Sequence, residues 1–447
     1  MKIILIMPAV GRKEKDAYIK TWQMEPFALA VLAGLTPPDI ETAFYDDRLE
    51  DINYDEQADL VALNVETYTA RRAYQIAARF RERGIPVIMG GYHPTLVPDE
   101  ACLYSDAILV GEAEGVWQDV LADLKRGKLK KIYRSKQRPS LAGIKPDRKI
   151  YRGRKYMPLA LVEWGRGCKF SCDFCSITSF YGGTHYYRPV KEVVTEIESL
   201  DNKIIFLIDD NIGANPEAAK QLFRELIPLK IRWVSQISIN LAEDREMLEL
   251  MAKSGCQGVL IGFESLNENN LNQMNKAWNN KIRNYDTALA RFREYGFVIY
   301  GTFVFGYDYD NRESFEITLD FALRNKFFFT AFNHLVPFPG TPLFHSLAEQ
   351  GRLLDEKWWL NPDYRFGDVV FLPRQMSALE LADTCLEYRR KFYNFRSILK
   401  RGLDLRTNMK NPYVAATFFA QNLLARQEVN RRQGLPLGNN AMAEYGR

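Results

Sequence analysis

The sequence of 447 residues has few cysteines, few histidines and no long apolar run. Its six cysteines are too few for a fold held together by disulfides. The apolar run near the start is only about six residues long and ends at Pro8, whereas signal peptides have longer apolar cores and a membrane-spanning helix needs ~20 apolar residues. The sequence therefore predicts a soluble, cytoplasmic protein in a reducing compartment.

Charge is nearly balanced over the chain but is distributed unevenly along it. Lys and Arg number 60 and Asp and Glu 56, and 47% of residues are apolar, which is typical of a globular protein and excludes a disordered chain. Between Leu386 and Gly434, however, there are eleven basic residues and three acidic ones. This window therefore carries a net charge of +8, and the rest of the chain a net charge of −4. Such a segment indicates either a solvated helix face or an anionic partner or membrane surface.

Residues 1–130 alternate short apolar strands with helices. The predicted strands are KIILIMP (2–8), TAFYDD (42–47), DLVALNV (59–65), PVIMGG (86–91) and the strand that begins AILVGEAEG (107–115). Short apolar strands between helices indicate a parallel sheet covered on both faces, so we predict an α/β, Rossmann-like, doubly wound domain. Residues 131–158 are basic and irregular, and are predicted to be a connector.

A second alternating series occupies residues 159–345 and contains six strand–helix units. Its strands begin with LALVEW (159–164) and end with FTAFNHLVPF (329–338). Six units predict a partial (β/α)6 barrel, which is shorter than the eight units of a closed barrel. Residues 346–447 are predicted to form a mainly helical, basic C-terminal region that caps the barrel.

Half of the cysteines lie within eight residues, in GRGCKFSCDFC. Cys168, Cys172 and Cys175 follow the first barrel strand, so they should lie at the barrel mouth, where active sites form. Three thiolates at C-x3-C-x2-C spacing can hold three irons of a cubane cluster and leave the fourth iron open. The alternatives are unrelated thiols or a zinc site, whose fourth ligand would have to come from a distant cysteine or histidine.

The C-x3-C-x-aromatic-C motif, with Phe174 before the last cysteine, resembles the radical S-adenosylmethionine (SAM) superfamily. Enzymes of that superfamily also have a six-unit partial barrel. The resemblance implies a [4Fe-4S] cluster on the three cysteines, with SAM chelated to the open iron. An electron from the cluster then cleaves SAM to methionine and a 5′-deoxyadenosyl radical, which abstracts a hydrogen atom from the substrate.

Polar residues at later strand ends extend this resemblance. In IIFLIDDN they fall where the family contacts the SAM amino group, although its commoner motif there is Gly-Gly-Glu. SQISIN and GFES follow the next two strands, and PFPGTPL (337–343) resembles the last barrel loop of the cobalamin-containing subgroup. The SAM-binding residues implied are Phe174, Asp209, Asp210, Ser238, Asn240 and Glu264. Each lone carboxylate could instead cap a helix or lie on the surface.

The first domain lacks the G-x-G-x-x-G motif after its first strand, which disfavours NAD or FAD. Its glycines fall at later strand ends, and VETYT, GGYHPT and VGEAEG resemble the cobalamin-binding domain fused upstream of many radical SAM enzymes. The cobalamin-binding residues implied are Glu66, Thr67, Tyr68, Gly90, Gly91, His93, Gly111 and Glu112. A domain that has kept this fold but lost cobalamin is the alternative.

The D-x-H-x-x-G motif that ligates cobalt through histidine is absent from this sequence. The resemblance therefore implies base-off cobalamin without a histidine ligand, with Tyr68 or a neighbour over its lower face. His93 is expected either to bind the cobalamin tail or to be a turn histidine beside Pro94.

Together these resemblances imply a cobalamin-dependent radical SAM methyltransferase that uses methylcobalamin to methylate an unactivated carbon of a small, hydrophobic metabolite. The alternative is a radical cyclisation, rearrangement or oxidation with the same cofactors. A methylthiotransferase would need three more cysteines in the first domain, where only Cys102 occurs, and a cobalamin sensor would not need the cysteine motif.

Besides the small-molecule substrate, the expected partner is an electron donor such as flavodoxin or ferredoxin. No recognition module for nucleic acid is found. The basic C-terminal residues alternate with apolar ones, as in FYNFRSILKRGLDL, which is typical of an interfacial helix and predicts peripheral membrane contact. The same stretches could instead pack the cap onto the barrel.

Overall fold

The structure is a computed structural model that describes residues 1–11, 23–135, 137–278 and 284–439. Parts of the first predicted domain, the connector, the barrel and the C-terminal region therefore lie outside the described residues (12–22, 136, 279–283 and 440–447). The strands are β1 (Lys2–Met7), β2 (Glu41–Asp46), β3 (Leu60–Asn64), β4 (Val87–Gly90), β5 (Ala107–Val110), β6 (Ile132–Arg134), β7 (Ala160–Val162), β8 (Gly165–Gly167), β9 (His185–Tyr187), β10 (Ile204–Leu207), β11 (Arg232–Ile237), β12 (Cys256–Glu264), β13 (Val298–Phe305) and β14 (Phe329–His334).

The helices of the first half are α1 (Phe27–Leu35), α2 (Ala70–Glu82), α3 (Tyr92–Leu96), α4 (Pro98–Tyr104), α5 (Trp117–Lys125), α6 (Ser176–Tyr181), α7 (Val190–Glu198) and α8 (Pro216–Leu226). The remaining helices are α9 (Arg245–Lys253), α10 (Glu268–Gln273), α11 (Tyr285–Glu294), α12 (Arg312–Arg324), α13 (Pro342–Glu349), α14 (Ala378–Phe392), α15 (Phe395–Gly402) and α16 (Pro412–Arg431). None of these helices, which come from the described ranges only, has both the length and the apolar character needed to cross a membrane.

The first sheet is parallel throughout, with the strand order β2-β1-β3-β4-β5-β6. Alternate residues of its apolar strands point to opposite faces, so one face packs against α1 and α5 and the other against α2 and α4. This doubly wound arrangement confirms the predicted fold class. The sheet also includes β6, which lies in the stretch predicted to be an irregular connector; this edge strand is three residues long, too short to leave a clear sequence pattern.

The second sheet has the order β14-β13-β12-β11-β10-β7, again all parallel, and forms the predicted six-strand partial barrel. One set of alternating side chains, including Trp233, Phe263 and Phe303, is buried against the surrounding helices. The other set includes Val234, Leu260 and Tyr300, and these three side chains are half-buried and belong to none of the core clusters. This second set therefore lines the barrel lumen.

The C-terminal helices close the free edge of the barrel at β14. The Arg401 guanidinium is fully buried and donates to the carbonyls of Phe327, Phe328 and Phe392 and to Asn422 Oδ1, at 2.9 to 3.1 Å. Burial lowers the pKa of Arg401 to about 9. Arg401, one of the basic residues of the C-terminal segment, therefore stabilises the fold and is not exposed to a binding partner.

Arg401→Met should destabilise the protein, because the Phe327 carbonyl and Asn422 Oδ1 would lose the donor they have among the described residues, whereas the Phe328 and Phe392 carbonyls keep Asn422 Nδ2 and Ser397 Oγ. Each orphaned acceptor costs roughly 1 to 3 kcal/mol, and removal of a buried charge offsets part of this, so we expect a loss of about 3 kcal/mol. A thermal melt of the cooperatively unfolding chain would show this as a midpoint lower by about 3 °C, since an unfolding entropy of ~2.1 cal/mol/K per residue amounts to about 0.9 kcal/mol/K for the whole chain. Arg390→Met is the matched control, since Arg390 is exposed and, among the described residues, hydrogen-bonds only Asn430. Equal midpoints for both variants would contradict the assignment.

The C-terminal region also contacts the first domain. Trp358, Trp359 and Tyr364 belong to the same core cluster as α2 and β3. Arg71 donates to the carbonyl of Leu437 at 2.7 Å. The region predicted to cap the barrel therefore covers both domains.

Candidate functional site

A cavity of about 440 Å³ lies between the first domain and the barrel. Its first-domain wall is formed by residues at the carboxyl ends of β1, β3, β4 and β5. These strand ends lie beside the topological switch point of the sheet, because β2 is added on one side of β1 and β3 to β6 on the other. Ligands of open parallel sheets bind at such a point. The opposite wall comes from the barrel, through Glu163, Gly165, Arg166 and Asp210.

The predicted glycines line this cavity together with Glu66 and Glu112. Gly91 has φ of 106°, and a Cβ there would lie 2.8 Å from Asn64 Oδ1 and from the Val65 carbonyl oxygen, so only glycine fits. Gly90 is different, because a Cβ there would meet only Leu109 at ordinary contact distance and would otherwise point into open space. The backbone therefore forms one smooth wall of the cavity.

Three other predicted cobalamin residues, Thr67, Tyr68 and His93, do not line the cavity. His93 is 0% exposed; its Nδ1 lies 3.4 Å from Thr67 Oγ1, and its Nε2 lies 3.0 Å from the Tyr74 hydroxyl and 3.2 Å from Glu100 Oε1. The histidine thus occupies a buried polar network behind the cavity wall, which differs from the tail-binding role that the sequence left open.

Tyr68 packs against aromatic rings supplied by the second half of the chain. Its ring centroid is 5.2 Å from that of Trp358, 5.3 Å from Phe366 and 5.8 Å from Phe338. Burial among these rings raises the pKa of Tyr68 to about 12. These rings come from residues 270 to 298 positions later in the sequence, and the role of Tyr68 over the lower face of cobalamin stays a prediction.

Arg166 joins the two domains at the cavity. Its guanidinium contacts Glu112 at 2.9 Å and Glu114 at 2.6 Å in the first domain, and Glu163 at 2.9 Å in the barrel. Burial raises the pKa of Glu163, and one arginine balances three carboxylates, so this wall is rich in hydrogen-bond acceptors. Sequence reasoning missed Arg166, although it lies two residues before Cys168.

The cysteine loop is held between the two strands of a small hairpin, β8 and β9. Asp209 Oδ1 accepts a hydrogen bond from the Gly165 amide, and Asp210 Oδ2 accepts one from the Gly167 amide at 2.7 Å. Both carboxylates therefore anchor the backbone that leads into the loop. Burial raises the pKa of Asp210 to about 6 and that of Asp209 well above its usual range.

The thiols of Cys168, Cys172 and Cys175 are free of disulfides. Burial raises the pKa of Cys172 to about 12, while Lys276 opposes this shift. In the described ranges, no three His, Cys, Asp or Glu side chains converge as the ligands of one metal ion do. In a cubane cluster each thiolate binds a different iron, and the three free thiols on one loop fit that donor set.

Asn211 lies closer to the cysteines than the two aspartates before it. Its Nδ2 is 3.8 Å from Cys168 Sγ and donates to Ser238 Oγ at 2.7 Å. Its Oδ1 is buried and has no hydrogen-bond partner among the described residues, so it can accept a bond from a ligand. The predicted residue Asn240 is exposed, and Phe174 is half-buried against the barrel core.

Glu264 ends β12 with φ of 62°, a left-handed conformation that is uncommon outside glycine. Its carboxylate pairs with Lys276 Nζ at 2.9 Å, and Lys276 also donates to the Gly262 carbonyl at 2.9 Å. The lysine is buried near Cys172. No sequence motif indicated Lys276, because the pairing depends on a loop that returns to the strand end twelve residues later.

A family model described as "Radical SAM superfamily" matches residues 162–322. The chain is 32% identical over 389 residues to bacteriochlorophyllide d C-12(1)-methyltransferase of Chlorobaculum tepidum, covering 84% of each chain. It is 33% identical over 430 residues to the C-8(2)-methyltransferase of the same organism, covering 91% of this chain and 93% of the relative.

Solved structures agree on the fold. TsrM from Kitasatospora setae, with cobalamin and a [4Fe-4S] cluster bound, matches with a TM-score of 0.64 at 18% identity, over 96% of this chain and 98% of that one. OxsB, with aqua-cobalamin and SAM bound, matches with a TM-score of 0.67 at 14% identity, over 96% and 71%.

A Rossmann-like domain ahead of a partial barrel, with three free thiols at the barrel mouth, defines the class of protein. This chain belongs to the radical SAM superfamily, among its methyltransferase-type enzymes, and carries a Rossmann-like domain before the barrel. Membership implies a [4Fe-4S] cluster and SAM as cofactors.

Proposed function

We propose that this protein is a cobalamin-dependent radical SAM methyltransferase that methylates an unactivated, peripheral carbon of a hydrophobic chlorin-type macrocycle. One observation carries the proposal: the cavity at the strand ends of the first domain shares a wall with the residues that anchor the cysteine loop. Cobalamin in the cavity and a cluster on the loop would then be neighbours. The cluster supplies the electron that cleaves SAM, and cobalamin supplies the methyl group.

In this proposal Cys168, Cys172 and Cys175 hold the cluster, while Asp209 and Asp210 hold the loop. Four side chains near the cysteines present polar groups to SAM, namely Asn211, Ser238 and the paired Glu264 and Lys276. The free Oδ1 of Asn211 suits the SAM amino group, and Lys276 suits its carboxylate. Phe174 and Asn240 keep their predicted roles at the margin of this site.

The same proposal assigns cobalamin to the cavity. Gly90, Gly91 and Gly111 let the macrocycle approach the backbone, and the carboxylates of Glu66 and Glu112 accept hydrogen bonds from its amide side chains. The cavity wall also includes Leu29, Leu32, Ile88, Leu109 and Trp117, an apolar lining that suits the nucleotide tail. No histidine lines the cavity within the described residues, so this proposal includes no histidine ligand to cobalt from the cavity wall.

The substrate class is proposed from the relatives and from the lumen. Two relatives more than 30% identical are named for methylation of bacteriochlorophyllide d at peripheral positions. Val234, Leu260 and Tyr300 give the barrel lumen an apolar and aromatic lining, which suits a flat hydrophobic macrocycle.

A second candidate is radical cyclisation or oxidation of a similar macrocycle without net methyl transfer. It is favoured by the relative named anaerobic magnesium-protoporphyrin IX monomethyl ester cyclase of Cereibacter sphaeroides, 26% identical over 378 residues. That likeness covers 60% of the relative, against 93% for the C-8(2)-methyltransferase, so methyl transfer is the leading proposal.

The test is anaerobic purification with hydroxocobalamin, metal analysis, and turnover of bacteriochlorophyllide d with SAM labelled as CD3 and a flavodoxin or ferredoxin as reductant. We expect about four irons and about one cobalt per chain, and a product in which CD3 replaces hydrogen. Iron without cobalt would contradict the cobalamin assignment. A dehydrogenated or cyclised product without the label would instead support the second candidate.

A further inference from the structure

The C-terminal helices leave a group of large apolar side chains in solvent. Leu403 and Leu405 are 77% and 79% exposed, the highest values for large apolar side chains among the described residues. Phe395 and Leu399 on α15 and Leu423 on α16 are exposed as well. The two helices pack side by side, since Arg426 lies over the Phe395 ring at 4.0 Å. We call Phe395, Leu399, Leu403, Leu405 and Leu423 the apolar patch.

Basic residues surround the apolar patch. Arg396, Lys400, Arg406 and Arg426 are exposed, and no salt bridge involves any of them in the part of the chain that the structure describes. The one acidic residue between positions 395 and 427, Asp404, is buried and paired with Arg293 at 3.1 Å. Between positions 395 and 427 the exposed charged residues are therefore all basic, although Arg406 shares a surface depression with the exposed Glu294 of α11. We call the four exposed residues the basic rim.

The apolar patch lies at the end of the barrel opposite the cysteine loop. Lys326 donates to the Lys400 carbonyl at 2.8 Å, and Lys410 donates to the Gly296 carbonyl at 2.7 Å. Lys326 and Gly296 precede β14 and β13, so this segment sits below the amino ends of those strands. The cysteine loop follows the carboxyl end of β7. An electron carrier docked on the apolar patch would thus be a whole barrel length from the thiols.

We propose that the apolar patch and the basic rim dock this protein onto an anionic lipid surface, without spanning it. A bilayer satisfies both features at once, because the leucines enter the acyl boundary while the basic groups contact lipid phosphates. A second copy packed on the same surface would bring two predominantly positive rims together, which is unfavourable. This inference is independent of the proposed reaction.

The test is flotation of the full-length, cofactor-reconstituted protein with vesicles of phosphatidylcholine alone or with added phosphatidylglycerol. We expect the protein to float with the anionic vesicles, to bind the neutral ones less, and to dissociate as salt rises, since salt screens surface charge. Failure to float with anionic vesicles at low salt would overturn the proposal.

Two variants make the test specific. Leu403→Ser with Leu405→Ser should lower the partition into anionic vesicles about tenfold or more, because two exposed leucines no longer enter the bilayer. Leu103→Ser is the matched control, as Leu103 is 71% exposed on the first domain, and its partition should stay within about twofold of the unchanged protein.

A second pair tests the charge. Arg396→Glu with Lys400→Glu should remove the preference for anionic vesicles, whereas Lys128→Glu on the first domain should not. Equal flotation of the patch variant and the unchanged protein would overturn the proposal. So would light scattering that shows a patch-dependent dimer with no vesicle binding. Iron and cobalt content serve as the folding control and test the proposed function separately.

Discussion

Cys168→Ala should leave the protein without a cluster after anaerobic reconstitution and should abolish cleavage of SAM. The proposed cluster has only three protein ligands, so loss of one thiolate leaves two irons without a protein donor. The visible absorbance of the iron–sulfur cluster should disappear. Formation of 5′-deoxyadenosine from SAM should fall to the background of the uncatalysed mixture.

The matched controls are Cys256→Ser and Cys385→Ser. Both thiols are buried in the barrel core and away from the loop, and burial raises the pKa of Cys385 to about 12, as expected of small core residues. We expect both variants to keep the cluster, with at most a modest loss of stability. SAM cleavage that survives in Cys168→Ala would remove the central assignment of the site.

Gly90→Met should abolish cobalamin binding and leave the iron–sulfur cluster in place. Gly90 lies in the cavity wall and has no left-handed backbone conformation, so a side chain is accommodated without strain but extends into the proposed corrin site. We expect cobalt to fall from about one per chain to below about a tenth, while iron stays near four. Methylated product should be lost, but SAM cleavage should persist because the cysteine loop is unchanged.

Gly90→Ala provides the graded control, since its Cβ meets only Leu109 at an ordinary distance of 3.6 Å. It should keep most of the cobalt. If Gly90→Met binds cobalamin as tightly as the unchanged protein, the macrocycle does not lie against β4. If instead both iron and cobalt are lost, the substitution has disturbed the whole domain interface. The cobalt content of Gly90→Ala then decides whether the macrocycle lies against β4.

Much of the architecture could be predicted from the sequence because it depends on patterns among residues that are close together in the chain. Apolar runs alternating with helical periodicity indicate parallel sheets, and their number indicated the six-strand barrel. The cysteine spacing and the glycines at strand ends are equally local, and the structure places Gly90, Gly91 and Gly111 at one cavity.

Placement of individual side chains was less predictable where distant partners compete for them. The sequence predicts Tyr68 near the cobalamin face, but it does not predict the rings of Phe338, Trp358 and Phe366 that pack around Tyr68. Asp209 and Asp210 were expected to contact SAM, and their carboxylates bond backbone amides next to the cysteine loop. A motif identifies the loop, whereas packing decides which way each side chain turns.

The sequence by itself determined the order of strands and helices, the cysteine loop and the glycine-lined strand ends, since each depends on residues within a few positions of one another. Only the tertiary structure decided that Arg166 joins Glu112 and Glu114 across the domain boundary, that Lys276 pairs with Glu264, and that Arg401 closes the barrel edge. These contacts join charged or polar groups across folded surfaces. Their stability comes from burial and geometry that exist only once the chain has folded.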